Sequence, residues 1–476
     1  MNNTDFGTDH YVHLRIIRFL KKNKKYFLKD VFTLNEKYCF YPFFFHWLIS
    51  LTPIDINKNF IRIYYTILVV RLINFSFFLF YFTEFSFQEI LLCVLTYLSF
   101  PFNYLKWNSI NKGFSARGFG ILLAEIFLYF TYSFIVFNQN IYLLINLFIA
   151  LIILLSSQLT YQFLLLSSIF FFIYYLNIIF LILPIISALI LYVLNREVFV
   201  NFFYGQYYHK RNYCLYFIKS HFKIRESYYR DFFYDFFVEF KKDFKHGLKY
   251  FFTNPFIEII YGFPLLIMIF FRLNNETIYD NKILLLFISV GVLSFLATSL
   301  KKTRFLGEPQ RYIQFVIPFI IIFAVKEYED YEIIYFLVLS ILIILIYHRI
   351  YSNENINPHY DFQKNLDTIK KSLPNSSLII SNDIQKLKIL SSEFNVICND
   401  WSRKFKNEQE FNSFHKNNYT IHSVLGLLYF YKKFKPNILL LNEELYDNKE
   451  IFLIKNNIRL KLILQIKKLS IFRIIN

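Results

Sequence analysis

Three groups of residues in this chain have types and spacings that could do chemistry. The first is Asp9-His10-Tyr11-Val12-His13-Leu14-Arg15, which opens a helix-like run reaching Leu20. A carboxylate at the start of an interfacial helix is favoured by the helix dipole, so Asp9 is either a simple cap or a reactive group. His10 and His13 lie close enough in sequence to tune that carboxylate or bind a phosphate, and equally suit a surface position. Tyr41-Pro42-Phe43-Phe44-Phe45-His46 then enters the first apolar run, and His46 has the same two readings. The second group is Lys301-Lys302-Thr303-Arg304-Phe305-Leu306-Gly307-Glu308-Pro309-Gln310-Arg311-Tyr312, just before a run containing Pro318. Its arginines offer planar forks that match phosphate oxygens, or they form the basic flank of a span. The third group is Arg71 and Glu125, each inside an apolar run, where an ionised side chain is either functional or snorkels from a shifted span.

The elements that must position these residues are membrane helices. Of the 476 residues 56% are hydrophobic and only 18% charged, proportions that a soluble core could not absorb. Apolar runs fall at 39–54, 60–83, 86–103, 118–137, 141–194, 254–272, 282–299, 312–326 and 331–349. The run 141–194 holds two long helices or three short ones, which gives about ten transmembrane helices. The expected fold is therefore an all-α polytopic membrane bundle, residues 1–354. Within it, residues 1–38 form an N-terminal loop, and the mixed aromatic and charged segment 195–250 suits amphipathic helices in the interface. From 355 to 476 the pattern changes to short apolar runs, 377–380, 394–398, 437–441 and 460–465, with an amphipathic helix at 421–434. These predict a small extramembrane α/β domain.

The first group, with its Asp, its D-x-x-x-H spacing, its Arg and the following Y-P-x-x-x-H, resembles the first external loop of the GT-C fold glycosyltransferases. Those are polytopic enzymes that take a sugar from a polyprenyl-phosphate carrier, among them oligosaccharyltransferase catalytic subunits and protein O-mannosyltransferases. The resemblance implies that Asp9 is the catalytic carboxylate, taking the acceptor's proton as the lipid phosphate leaves, with His13, Arg15 and His46 beside the substrate. The Arg311-Tyr312 pair followed by an apolar helix with Pro resembles a late motif of the same group. It implies that Arg311, with Arg304 and Tyr312, meets the phosphate of the lipid-linked donor. Gly113-Phe114-Ser115-Ala116-Arg117 is also similar to a loop of prokaryotic members. Members differ in whether a divalent metal assists, and no ligand cluster stands out in this sequence.

For one site to form, Asp9 and Arg311 must share a side of the membrane. With 39–54 as a span and two helices in 141–194, parity puts Asp9, Arg311 and the tail together on the extracytoplasmic face of the cell membrane. Three helices there would break that arrangement. The net charge of +18 reads as anchoring to anionic lipid, and no basic helix or aromatic platform accompanies it to suggest nucleic acid. Cys39, Cys93, Cys214 and Cys398 form no CxxC pair, and Met1 to Leu20 contains no apolar signal-peptide core, so targeting is expected to rely on the spans. A transporter or flippase of lipid-linked precursors, or a non-catalytic envelope assembly protein, would share the span count. The internal repeats and Gly/Pro-interrupted helices of a transporter are not evident in the sequence.

Overall fold

The computed structural model describes residues 8–23, 42–104, 114–212, 254–300, 306–352, 364–397 and 424–475, with isolated residues at 236–252, 303 and 362. The chain opens with α1 (Thr8–Asn23) and the seven-residue α2 (Phe44–Ser50). A helix of that length is about 10 Å long, a third of a bilayer core. The run 39–54 is therefore not a span, contrary to expectation, because Thr52-Pro53 ends the helix early and α2 packs on α1.

The bundle follows as α3 (Ile56–Phe82), α4 (Phe87–Ser99), α5 (Arg117–Phe137), α6 (Asn140–Ser156), α7 (Gln158–Tyr175) and α8 (Ile179–Leu194). Residues 141–194 thus make three helices rather than the two that the parity reasoning used. Ser157 breaks the first junction and caps α7 by accepting from the Thr160 N–H. Leu176 turns left-handed (φ 51°) at the second, where Asn177 Oδ1 accepts from the Ile179 N–H. The peripheral α9 (Arg196–Asn212) comes next. Then α10 (Pro255–Gly262) and α11 (Pro264–Arg272) form one apolar stretch bent by 80° at Phe263. After α12 (Asn275–Asp280) and α13 (Lys282–Ser299), the short α14 (Gln310–Ile313) runs through a 3-10 turn at Gln314–Val316 into α15 (Ile317–Glu327) and α16 (Asp330–Ser352).

Among the described residues, five helices are long and apolar enough to cross a membrane, or six with the bent pair as one span. Their outer faces carry Val69, Ile73, Phe77 and Phe80 of α3, and Val338, Leu342, Leu345 and Ile346 of α16, all exposed. So continuous an apolar surface would drive association in water and is satisfied by lipid tails. These features mark the chain as an integral membrane protein. The interior is packed with rings: Phe287 stacks on Phe319 at 4.4 Å, Phe163 on Phe315 at 4.4 Å and Phe78 on Tyr129 at 4.3 Å. Helix α13 meets the 3-10 turn so closely that a Cβ on Gly291 would lie 2.3 Å from Val316.

Contacts sort the helix ends. Ile67 of α3 lies beside Gly118 at the start of α5, while Phe82 lies beside Phe137 where both helices finish. Asn281 bonds Glu327, and Arg272 pairs with Glu332, at the same end as Phe82. The opposite end gathers α1, α2, the starts of α5 and α7, α9, and the turn before α14.

At that end sits the C-terminal sheet, in the order β2-β1-β3-β5-β4: β1 (Leu378–Ser381), β2 (Asn395–Val396), β3 (Ile438–Asn442), β4 (Leu460–Ile466) and β5 (Leu469–Ile474). Strands β2, β1 and β3 are parallel and β3, β5 and β4 antiparallel. The described helices are α17 (Leu366–Ser372), α18 (Ile384–Leu390), α19 (Val424–Phe434) and α20 (Asn448–Asn457). Side chains alternate along β1 and β3, so Ile379, Ile438 and Leu440 face α17 and α18, while Ile380, Leu439 and Leu441 face α19 and α20. Tyr11, Leu14 and Ile17 of α1 join the first of these cores.

Candidate functional site

Helix α1 is buried around most of its circumference. Tyr11, Leu14 and Ile17 join the core that α18 shares with the sheet, Ile16 and Leu20 meet α6, α8 and α9, and His10 and His13 meet α2 and the residues leading into α5. Lys21 and Lys22 occupy its last turn, where the dipole favours cations. Asp9 falls in its first turn, one turn before His13; its side chain lies outside the described residues.

His13 and His46, thirty-three residues apart in sequence, meet with Nδ1 and Nε2 at 2.8 Å and rings inclined by 14°. Near-coplanar rings set edge to edge are the geometry of one imidazole N–H donating to its neighbour's lone pair. His10 Nδ1 accepts the Phe114 N–H at 2.9 Å, which leaves its proton on Nε2. Burial holds His10 down to about 4 and His13 to about 3; Arg18 adds to the first shift, and Arg117 and His10 to the second. His46 is lowered well below its usual value by burial and then by His13. All three imidazoles are therefore neutral near pH 7. They fasten α1 to α2 and to Phe114 rather than carry charge. Arg15 Nη2 donates to Asn395 Oδ1 at 2.8 Å, so this guanidinium reaches the C-terminal domain.

Of the second group, the described residues 306–312 form a turn leading into α14 at the same end of the bundle. Gly307 adopts φ 112°, which only glycine takes without strain. Arg311, largely buried, pairs with Glu308 at 3.0 Å. Gln310 Nε2 donates to the buried Glu258 of α10 at 2.8 Å. The Tyr312 hydroxyl donates to the Leu306 carbonyl at 3.0 Å. With the Gln162 amide oriented to satisfy its neighbours, its nitrogen donates to Leu306 O at 2.9 Å and its oxygen accepts from Lys210 Nζ at 2.7 Å. Arg304 lies outside the described residues. Chemically, the described residues of the turn offer an anion the Arg311 guanidinium, already shared with a carboxylate, and Tyr312 holds the shape of the turn. Glu258, Gln162 and Lys210 were not singled out from the sequence. The signal for Glu258 was the same as for Glu125, a carboxylate inside an apolar run.

The third group becomes a single network in mid-bundle. Arg71 grips Glu125 in a bidentate contact, Nε to Oε2 at 3.0 Å and Nη2 to Oε1 at 2.7 Å, and the Tyr97 hydroxyl donates to Oε1 at 2.6 Å. All three side chains are buried, tying α3, α4 and α5 together. Each charge answers the other, which is why both are tolerated at this depth.

Among the described residues, no group of three His, Cys, Asp or Glu side chains could hold a metal ion. Compared with family models and with curated proteins, the chain matches none.

Proposed function

We propose that this chain is an integral-membrane glycosyltransferase of the GT-C type, moving a sugar from a polyprenyl-phosphate-linked donor to an envelope glycan, lipid or protein acceptor. The observation that carries the reading is spatial: the helix bearing Asp9 and the turn bearing Arg311 gather at one end of the bundle, against the starts of α5 and α7. In this reading Asp9 takes the acceptor's proton while the new glycosidic bond forms and the polyprenyl phosphate departs with its bonding electrons. Arg311 turns from Glu308 to the donor phosphate, Tyr312 keeps the turn in shape, and Arg304 adds charge. His13 and His46 hold α1 in place. Membrane lipid and the lipid-linked sugar are the partners.

In this reading the chain crosses the cell membrane ten times, with α4, α6, α8, α15 and the bent α10–α11 pair each counted as one crossing beside the five long helices. The lost span at 39–54 and the added helix in 141–194 cancel, so α1, the Arg311 turn and the C-terminal domain keep a common face. By the resemblance that face is extracytoplasmic. The sequence between α4 and α5 and after α9 is rich in Lys and Arg, which the positive-inside bias favours in the cytoplasm, and single-cysteine labelling reads the face directly.

A second reading, transport of lipid-linked precursors, is favoured by the 80° break between α10 and α11, the 3-10 break before α15 and the buried Arg71–Glu125 pair. One experiment separates the two. Membranes containing the chain are given a polyprenyl-phosphate-linked sugar, and released polyprenyl phosphate is measured. Release supports transfer; movement of intact donor between leaflets without release refutes it.

A further inference from the structure

Helix α1 packs on α18 of the C-terminal domain and joins the core beneath one face of its sheet. Tyr11, Leu14 and Ile17 share a core with Ile379, Ile438, Leu440 and Ile471. At the rim, Arg18 Nη1 lies 2.7 Å from Glu393 Oε1 and also donates to the Ser392 carbonyl. Lys370 Nζ approaches the same Glu393 oxygen at 3.1 Å, and Arg15 bonds Asn395. Ser392 and Glu393 belong to the link between α18 and β2 and Asn395 opens β2, so one short segment of the tail holds two arginines one turn apart on α1. On its other side α1 rests on α6, α8 and α9 through Ile16 and Leu20. The helix is thus a wedge between membrane bundle and tail, and the tail's grip sets how far its first turn reaches.

We propose that the C-terminal domain positions the helix that carries Asp9, with Arg18 as the positioning residue. The proposal rests on the glycosyltransferase reading for its catalytic consequence but not for its mechanical one. An apolar core alone fixes a helix loosely along its own axis, because neighbouring apolar side chains can trade places at little cost. A guanidinium held at once by a carboxylate and a carbonyl fixes both rotation and axial position. A shift of even 1 Å at the first turn would weaken a proton transfer there.

The test uses the full-length chain in membranes, with a nitroxide on Lys22→Cys to report α1 mobility and with kcat and donor KM measured separately. Arg18→Glu should loosen the label and lower kcat about tenfold with donor KM nearly unchanged. Glu393→Arg should do the same, and the two together should recover both readouts, which a general loss of packing would not. Arg18→Gln, milder in its effect on folding, should move the label in the same direction. A label that stays equally immobile in Arg18→Glu and Arg18→Gln, or a double variant that recovers neither readout, overturns the proposal. If the label responds while even the unsubstituted chain transfers no sugar, the clamp stands and the glycosyltransferase reading falls.

Discussion

Replacing Arg71 by Met keeps much of the side chain's apolar stem and removes the guanidinium, stranding the Glu125 carboxylate in mid-bundle with only the Tyr97 hydroxyl on it. Both partners are buried, at 5% and 1% exposure, and joined by two hydrogen bonds, so solvent does little to relieve the loss. Removing one member of such a pair typically costs about 3–5 kcal/mol, and an unpaired charge at the centre of a membrane helix costs about 2.5–3.5 kcal/mol on insertion scales. The two estimates overlap at roughly 3 kcal/mol. Glu125→Gln on the Arg71→Met background removes the stranded charge and leaves an oxygen for Tyr97, so the pair of changes should lie within about 1.5 kcal/mol of the unsubstituted chain. Unfolding titrations in mixed micelles would measure the single and double variants in one cycle. An Arg71→Met loss below about 1 kcal/mol, or a double variant as unstable as the sum of the singles, would refute the idea that each charge is tolerated only because of the other.

The remaining expectations address the site. Arg311→Lys keeps a charge but not the planar fork, so it should saturate less readily with lipid-linked donor, and Arg311→Ala less readily still; if Lys equals Arg in rate while Ala only misinserts, Arg311 is a topology flank. His10 and His13 are held near 4 and 3 in the folded chain against an ordinary 6.5, so the unfolded chain binds more protons across that interval. Stability should be fully present above about pH 6.5 and fall as the pH drops toward 4 and 3. His10→Asn, whose Oδ1 can take the Phe114 N–H, should flatten that acid limb, and an unchanged limb would show that the buried imidazoles do not set it. Single cysteines at Lys22, Thr303 and Lys455, in a chain cleared of its native thiols, should react with an impermeant reagent from one side of the membrane only. Lys22 and Thr303 labelled from opposite sides would end the shared-site idea.

The bundle was legible because lipid demands long apolar helices, and the tail because its strands alternate or run short and apolar. Helix breaks were harder to read. Nothing in the apolar content of 39–54 distinguishes a buried wedge beside α1 from a span, and the division of 141–194 rests on single residues, Ser157 and Leu176, whose backbone angles depend on local capping. Arg71 and Glu125 were visible one at a time, since their meeting depends on which faces of α3 and α5 pack together. His13 and His46 were flagged separately, one beside Asp9 and one at the entrance of an apolar run, yet their direct bond follows from tertiary packing across thirty-three residues. The association of α1 with α18 of the C-terminal domain was illegible, because an amphipathic helix does not say which surface it covers.

The most direct test of the account is the fate of a radiolabelled polyprenyl-phosphate-linked sugar in membranes that hold either the unsubstituted chain or Asp9→Asn at equal abundance. Asparagine keeps the size and much of the capping ability of aspartate but cannot take a proton, so insertion should be unchanged, within about 1 kcal/mol of stability. The account predicts sugar transfer and release of polyprenyl phosphate by the unsubstituted chain and neither by Asp9→Asn. Transfer by Asp9→Asn at the unsubstituted rate would contradict it.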